Sequence, residues 1–257
     1  MVEAKKSLGQ HWLFDQAALA DVAKAGELNS KDTVLEIGPG LGSLTKLLVA
    51  SAKRVVAIEK DEQLAAELPG RIQADNLEVI TADILEFDLS QLPAMYKVVA
   101  NLPYYLTSRL LRSLLENPNP PSLMSLLIQK EVAERIVAKP GQMSLLAFSV
   151  QYYGQPKLLR VVPKELFQPP PRVDAALLRI KRRPKPYFAA DTKNLFRIVK
   201  SGFAGKRKQL KNSLAAGLQR DSANITRLLK SAGIEPRSRA QELSLDDWQK
   251  IYQKSID

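Results

Sequence analysis

"VLEIGPGLGSLT", residues 34–45, decides the fold. A short apolar run with the length of a buried strand meets glycines at 38, 40 and 42, and helical spacing follows in "SLTKLLVASA". In an open α/β sheet, the crevice at the carboxyl ends of the strands is where ligands bind. Glycines there permit positive φ and let the backbone approach a ligand closely. The spacing is G-x-G-x-G, one residue shorter than the dinucleotide fingerprint G-x-G-x-x-G, and alone it also suits a plain tight turn.

Working outward, β and α signals alternate. Before the glycine turn, "DQAALADVAKAGEL" predicts a helix with Asp15 as N-cap and Gly26 near its end. After it come the strand "RVVAIE", helical "DEQLAAEL", the strands "LEVIT" and "KVVAN", and the helix "LTSRLLRSLLEN". "SLMSLLIQ" predicts a fifth strand, with "KEVAERIVA" a helix behind it. This alternation predicts a parallel, doubly wound sheet with helices on both faces. "KLLRVV" and "AALLRIKR" are expected to finish it as an antiparallel pair. Pro184 and Pro186 punctuate the chain, and the periodicity beyond them is helical. The expected division is therefore an α/β domain over 1–187 and a small all-α domain over 188–257.

Charge divides the chain at nearly the same place. Residues 1–180 hold 20 Lys+Arg and 20 Asp+Glu, so the whole net charge of +11 falls on residues 181–257. A basic module on a neutral domain predicts a polyanionic partner, nucleic acid, over a mere solubility surface. Lys206, Arg207, Lys208 and Lys211 form the densest stretch, and on a helix 207, 208 and 211 would share one side. The absence of cysteine excludes disulfides and thiolate metal sites, and His11 alone cannot build a multi-histidine zinc site; these grounds leave a carboxylate-built magnesium site open, and no metal ligand is assigned. No apolar run is long enough to span a membrane, and "MVEAKKSLGQ" resembles neither a signal nor a transit peptide, which predicts a cytoplasmic protein.

Polar side chains mark the ends of the successive strands. Glu59 ends the second strand 21 residues after Gly38, where a carboxylate accepts both hydrogen bonds of a ribose diol. Asp83 lies just past the third, suited to an adenine amino group, and Asn101 ends the fourth. Any one of them alone would read as a cap or turn residue. In series with the glycine turn they describe a slot for an adenosine-containing cofactor. The fourth strand breaks at Asn101-Leu102-Pro103-Tyr104. An amide oxygen accepting from adenine N6 would localise its lone pair, Pro103 stiffens the turn, and Tyr104 offers a π-face to the base.

These segments together resemble a known family. The glycine turn has the spacing of the S-adenosylmethionine-dependent methyltransferases, and "NLPYY" resembles the catalytic motif of the ribosomal RNA adenine N6,N6-dimethyltransferases. "SLGQHWLFD", "LIQKEVAERIVA", "FQPPPRVDAALL" and "GKRKQLKNSL" are similar to further segments of that family, so the match runs from about Ser7 to about Leu245 and favours its small-subunit, bacterial branch. The resemblance implies a Rossmann-like catalytic domain with a smaller helical RNA-binding domain, S-adenosylmethionine as cofactor, and the small ribosomal subunit and its rRNA as partners of a monomer. It implies that His11 and Leu13 close over the cofactor, Gly38 and Gly40 pass beneath it, Glu59 holds its ribose and Asp83 its adenine. Asn101, Leu102, Pro103 and Tyr104 would form the catalytic set, Phe167 would stack on the extruded base opposite Tyr104, and Lys206, Arg207, Lys208 and Lys211 would meet RNA. The product would be two adjacent dimethyladenosines near the 3′ end of small-subunit rRNA.

Two departures stand out: Trp12 where the family usually has Phe, and "GQMSLLAF" without the usual Tyr-Gly pair. Rival readings are the antibiotic-resistance methyltransferases of the large subunit, a non-enzymatic rRNA-binding assembly or transcription factor on the same fold, and a DNA adenine methyltransferase. The intact Glu59, Asp83 and Asn101 set favours an enzyme, and the long basic helices favour the small subunit.

Overall fold

A computed structural model describes residues 9–256, so Ser7 and Leu8 of the N-terminal signature lie outside the described residues. The strands of the described residues are β1 (Trp12–Leu13), β2 (Thr33–Ile37), β3 (Arg54–Glu59), β4 (Leu77–Thr81), β5 (Lys97–Asn101), β6 (Leu123–Gln129), β7 (Gly154–Val162), β8 (Phe167–Gln168) and β9 (Ala175–Arg182), and all but β1 and β8 are expected from the sequence. Seven of them build one sheet in the order β4-β3-β2-β5-β6-β9-β7. β2 pairs in parallel with β3 and β5, β3 with β4, and β5 with β6. β9 runs antiparallel to β6, with Leu126 opposite Leu178. The central strands read as unbroken apolar runs because both their faces are buried; Val98, Val99 and Ala100 of β5 are shut off from solvent.

α1 (Gln16–Ala25) begins where Asp15 accepts a hydrogen bond from the Ala18 amide, as its N-cap role requires, and Gly26 closes it. Ser125 in β6 donates to the Val22 carbonyl at 2.7 Å, which ties α1 to the sheet. α2 (Thr45–Val49) is shorter than its sequence suggests, while α3 (Glu62–Arg71) runs past "DEQLAAEL". α4 (Thr107–Glu116) buries Leu110, Leu111, Leu114 and Leu115, the apolar stripe at helical spacing. β1 and β8 form a separate antiparallel pair, Trp12 opposite Gln168 and Leu13 opposite Phe167. Nothing in the periodicity announces that pair, since each strand is only two residues long.

The chain separates into two compact units, and their boundaries differ from the expected break at 187/188. One unit runs to Ala133 and resumes at Gln155–Arg182; the other joins Glu134–Gly154 to the chain from Arg183 onward. α5 (Lys130–Ile136) spans the first crossing, and α6 (Leu145–Tyr153) belongs wholly with the helical unit. The cause is aromatic packing invisible to a linear charge count. Phe148 of α6 lies edge-on to Phe196 of α7 (Thr192–Phe203) and to Trp248 of α10 (Leu245–Ile256), and the Tyr152 hydroxyl donates to the Phe188 carbonyl. α8 (Leu210–Leu218) and α9 (Ser222–Ser231) complete this unit.

A second correction concerns the basic stretch. Helix α8 does not begin at residue 206: Lys206, Arg207 and Lys208 lie in an exposed turn, closed by the Lys208 amide bonding the Gly205 carbonyl, and only Lys211 is on the helix. Leu210 must enter the core, and the extended backbone at Gln209 delivers it there, which breaks the helical register its charges would share. The stripe at i, i+3 and i+4 therefore does not exist as a helix face.

If α6 is integral to the helical unit, Phe148→Ala should cost about 3–5 kcal/mol, the usual loss for emptying a buried aromatic site. Denaturant titration followed by tryptophan fluorescence measures it, and a loss below about 1 kcal/mol would contradict the packing described.

Candidate active site

After β4 the chain crosses from one side of β2 to build β5 on the other, and this reversal opens a crevice at the carboxyl ends of the strands. A pocket lies there, lined by residues of the first unit. His11, Leu13, Gly38, Gly40, Glu59, Asp83, Asn101, Leu102, Pro103, Tyr104 and Phe167 line it, so every pocket residue expected from the sequence converges. Lys206, Arg207, Lys208 and Lys211 belong to the other unit.

The glycine turn forms the floor. Gly38 and Gly40 sit at φ +67° and +56°, which side-chain-bearing residues rarely adopt. A Cβ on Gly38 would meet only Pro103 Cδ, at 3.9 Å, so the space above it is open. A Cβ on Gly40 would lie 3.2 Å from the Trp12 indole, so that side of the turn is closed by the N-terminal segment.

Glu59 is only 7% exposed, and its carboxylate accepts hydrogen bonds from the amides of Gly40 (3.1 Å) and Asp61 (3.0 Å). Burial raises its carboxyl above the ordinary value, while those two amides pull it back. Asp83 accepts from the Leu85 amide at 2.9 Å and from Lys60 at 2.8 Å. The Lys60 ammonium holds the Asp83 carboxyl below its ordinary range, which keeps an anionic acceptor at the pocket. This ion pair was not legible in the sequence: Lys60 follows Glu59 as one more charge after a strand.

Asn101 is oriented from the N-terminal segment. Its Nδ2 donates to the His11 carbonyl at 3.1 Å, and this leaves Oδ1 as the acceptor. His11 Nδ1 lies 2.7 Å from the Pro169 carbonyl, so it carries the proton and donates. The Leu102 amide continues the β5 ladder to the Leu127 carbonyl; Pro103 cannot, and the chain turns into α4. Tyr104 is half-buried with its ring 5.9 Å from that of His11, and burial pushes its phenol up to about 12, so it stays protonated. Phe167 lies deeper than a stacking role suggests. It is 4% exposed and packed in the core cluster with Leu13, Leu19 and Leu177; the ring beside Tyr104 is that of His11.

Beside Lys60, a further charged pocket residue escaped the sequence reading. Glu36 in β2 is completely buried, its Oε2 has no hydrogen-bond partner among the described residues, and burial, opposed by the Thr45 hydroxyl and reinforced by the nearby charge of Glu59, pushes its carboxyl up to about 8. A lone acidic residue inside an apolar strand was the available signal, since such a group is rarely buried without purpose.

A mostly parallel seven-stranded sheet with a glycine turn and acidic strand ends around one crevice defines a Rossmann-like methyltransferase that uses S-adenosylmethionine. The family model for ribosomal RNA adenine dimethylase matches residues 1–257, and the chain belongs to that family. It is 41% identical over 255 residues to a ribosomal RNA small subunit methyltransferase A of Dehalococcoides mccartyi, covering 97% of this chain and 88% of the relative. A protein of the same name from Pelotomaculum thermopropionicum is 40% identical, covering 100% and 92%. Among solved structures, the 23S rRNA methyltransferase ErmE superposes with a TM-score of 0.78 at 26% identity, covering 96% of this chain and 100% of that one. A dimethyladenosine transferase from Plasmodium falciparum shares the fold with a TM-score of 0.84 at 23% identity, covering 96% and 98%. The chain is thus an rRNA adenine dimethyltransferase.

The Glu36 carboxyl carries a pH signature. Its value of about 8 in the folded protein lies above the ordinary 4.5, so between about pH 5 and 8 the folded state keeps a proton that the unfolded state has lost. Stability then falls as pH rises through that window. Glu36→Gln should gain on the wild type by on the order of a few kcal/mol between pH 5 and 8, read as the difference in melting temperature at each pH. A difference that does not change with pH would show that Glu36 is not held protonated.

Proposed function

We propose that this enzyme dimethylates N6 of two adjacent adenosines near the 3′ end of small-subunit rRNA, acting as a cytoplasmic monomer in small-subunit assembly. The observation that carries the reading is the Asn101 amide, whose nitrogen is committed to the His11 carbonyl and whose oxygen is left to accept at the pocket. Adenine N6 is a poor nucleophile because its lone pair is delocalised into the ring. In this reading Asn101 Oδ1 accepts one N–H of the target amine and holds the lone pair toward the incoming methyl. Pro103 keeps Asn101 and Tyr104 in fixed relation, Leu102 anchors the turn to β6, and Tyr104 supports the face of the extruded base, with Phe167 behind it in the same pocket.

The residues present fit the cofactor. The open space at Gly38 admits a ligand against the backbone, the Glu59 carboxylate suits a ribose diol, and Asp83 suits an adenine amino group. His11 and Leu13 border that space, and Gly40 is already held by Glu59. When bound, S-adenosylmethionine supplies an electrophilic methyl group on a sulfonium. No side chain need act as a strong base, since an alkylated ammonium releases its proton readily. A phenol held near 12 is in keeping with orientation as the protein's main contribution.

Identity of about 40% to proteins named for the small subunit, against 26% to the 23S rRNA methyltransferase, supports the small subunit as substrate. A protein that only bound RNA would gain nothing from burying the Glu36 and Glu59 carboxyls, which costs stability. The exposed turn of Lys206, Arg207 and Lys208, with Lys211 beginning the next helix, is the proposed phosphate contact of the helical unit.

Incubation with labelled S-adenosylmethionine and unmodified small subunits should label two adjacent adenosines near the 3′ end of the rRNA; label elsewhere would refute the substrate. In single turnover, Asn101→Ala should lower methyl transfer by about 10²- to 10³-fold with RNA affinity retained, and transfer at the wild-type rate would end the lone-pair argument. Replacing Lys206, Arg207 and Lys208 with Gln should flatten the slope of log K against log salt by about 2–3 units, with cofactor affinity unchanged. An unaltered slope would move the RNA contact elsewhere.

A further inference from the structure

Tyr105 plays no part in the mechanism above, yet it is among the most exposed large side chains of the protein, at 62%. It stands at the same pocket as its neighbour Tyr104, whose hydroxyl is buried. The ring is supported from one side: a Cβ on Gly9 would lie 3.4 Å from it, with Pro103 next to that contact. An exposed aromatic alone is ordinary. Its company is not. Lys60 lines the same pocket, fixed by Asp83 at 2.8 Å with more than half its side chain in solvent. Arg109, exposed in the first turn of α4 and four residues after Tyr105, also acts electrostatically on Asp83. An aromatic face with cations in its neighbourhood is how proteins hold single-stranded nucleic acid, with a base on the ring and phosphates on the charges.

The proposed reaction creates the need for such a face. When one adenosine is extruded into the pocket, the nucleotide beside it loses a stacking partner, and that loss is part of the cost of extrusion. We propose that Tyr105 is the stacking platform for the nucleotide adjacent to the target adenosine, with Lys60 and Arg109 neutralising the phosphates that flank it. The inference rests on the reading that Asn101 receives an rRNA adenine. It adds a second base subsite outside the methyl-transfer pocket, specific for a π-face and tolerant of base identity.

The test is steady-state methyl transfer to unmodified small subunits by the full-length enzyme. Tyr105→Ala should raise the KM for subunits by about 5- to 100-fold, with kcat near the wild-type value, because stacking is uniform binding energy. Cofactor affinity and melting temperature should not move, and Tyr105→Phe, which keeps the ring, should restore the KM to within about twofold. Arg109→Gln should flatten the salt dependence of binding by about 0.7 units, the value for one single-strand phosphate contact. With normal wild-type turnover, an unchanged KM in Tyr105→Ala, or a Phe variant as impaired as Ala, overturns the platform alone. A wild-type enzyme that transfers no methyl group to small subunits overturns both the platform and the reading beneath it.

Discussion

Everything at the site depends on the Glu59 carboxylate. By accepting from Gly40 and from Asp61, it joins the turn that follows β2 to the turn that follows β3. Two loops at adjacent strand ends are thereby held at one separation, and the floor of the pocket becomes a fixed surface. The cost is a buried carboxylate, which two backbone donors offset in part. Lone pairs remain on both oxygens for an incoming diol, so one group serves the fold before a ligand arrives and the ligand afterwards. Asn101 repeats the pattern at the next strand, with its nitrogen spent on the His11 carbonyl and its oxygen kept in reserve.

The parallel sheet was readable because its strands are apolar throughout and separated by helical spacing, and because glycines, Glu59, Asp83 and Asn101 recur at successive strand ends. Each is a local signal, and the sheet order follows from few rules once the strands are placed. Pairings between distant short segments were not readable. β1 and β8 are two residues each and more than 150 positions apart, and they bring His11 to Pro169 and Leu13 to Phe167. The Lys60–Asp83 bridge was likewise hidden, since charge sequence alone does not tell which carboxylates meet a cation, and Glu36 was marked only by its place in an apolar strand.

The helical unit shows where composition misleads. Net charge and the prolines at 184 and 186 marked a boundary close to the observed resumption at Arg183, because basic residues concentrate after it. They could not reveal that Glu134–Gly154 belongs to the same unit, for that segment is nearly neutral and joins by Phe148, Tyr152 and Tyr153 packing among Phe188 and Phe196. Burial recruits by shape and apolar area, and charge reports mainly on what remains outside.

That discontinuity constrains how the protein is made. A chain leaving the ribosome presents α6 before β7 and β9, and presents α7 and α10 only near the end of synthesis. The aromatic partners of α6, Phe188, Phe196 and Trp248, are therefore made only after the last two strands of the sheet. The sheet in turn receives β9 only after the α6 segment has been laid down. The first unit has all its residues once Arg182 has emerged, whereas the second is begun inside it and finished only after it, so the two are not made one after the other as consecutive domains would be. Vectorial synthesis thus interleaves the making of two units, with the chain passing from one to the other after Ala133 and back after Gly154.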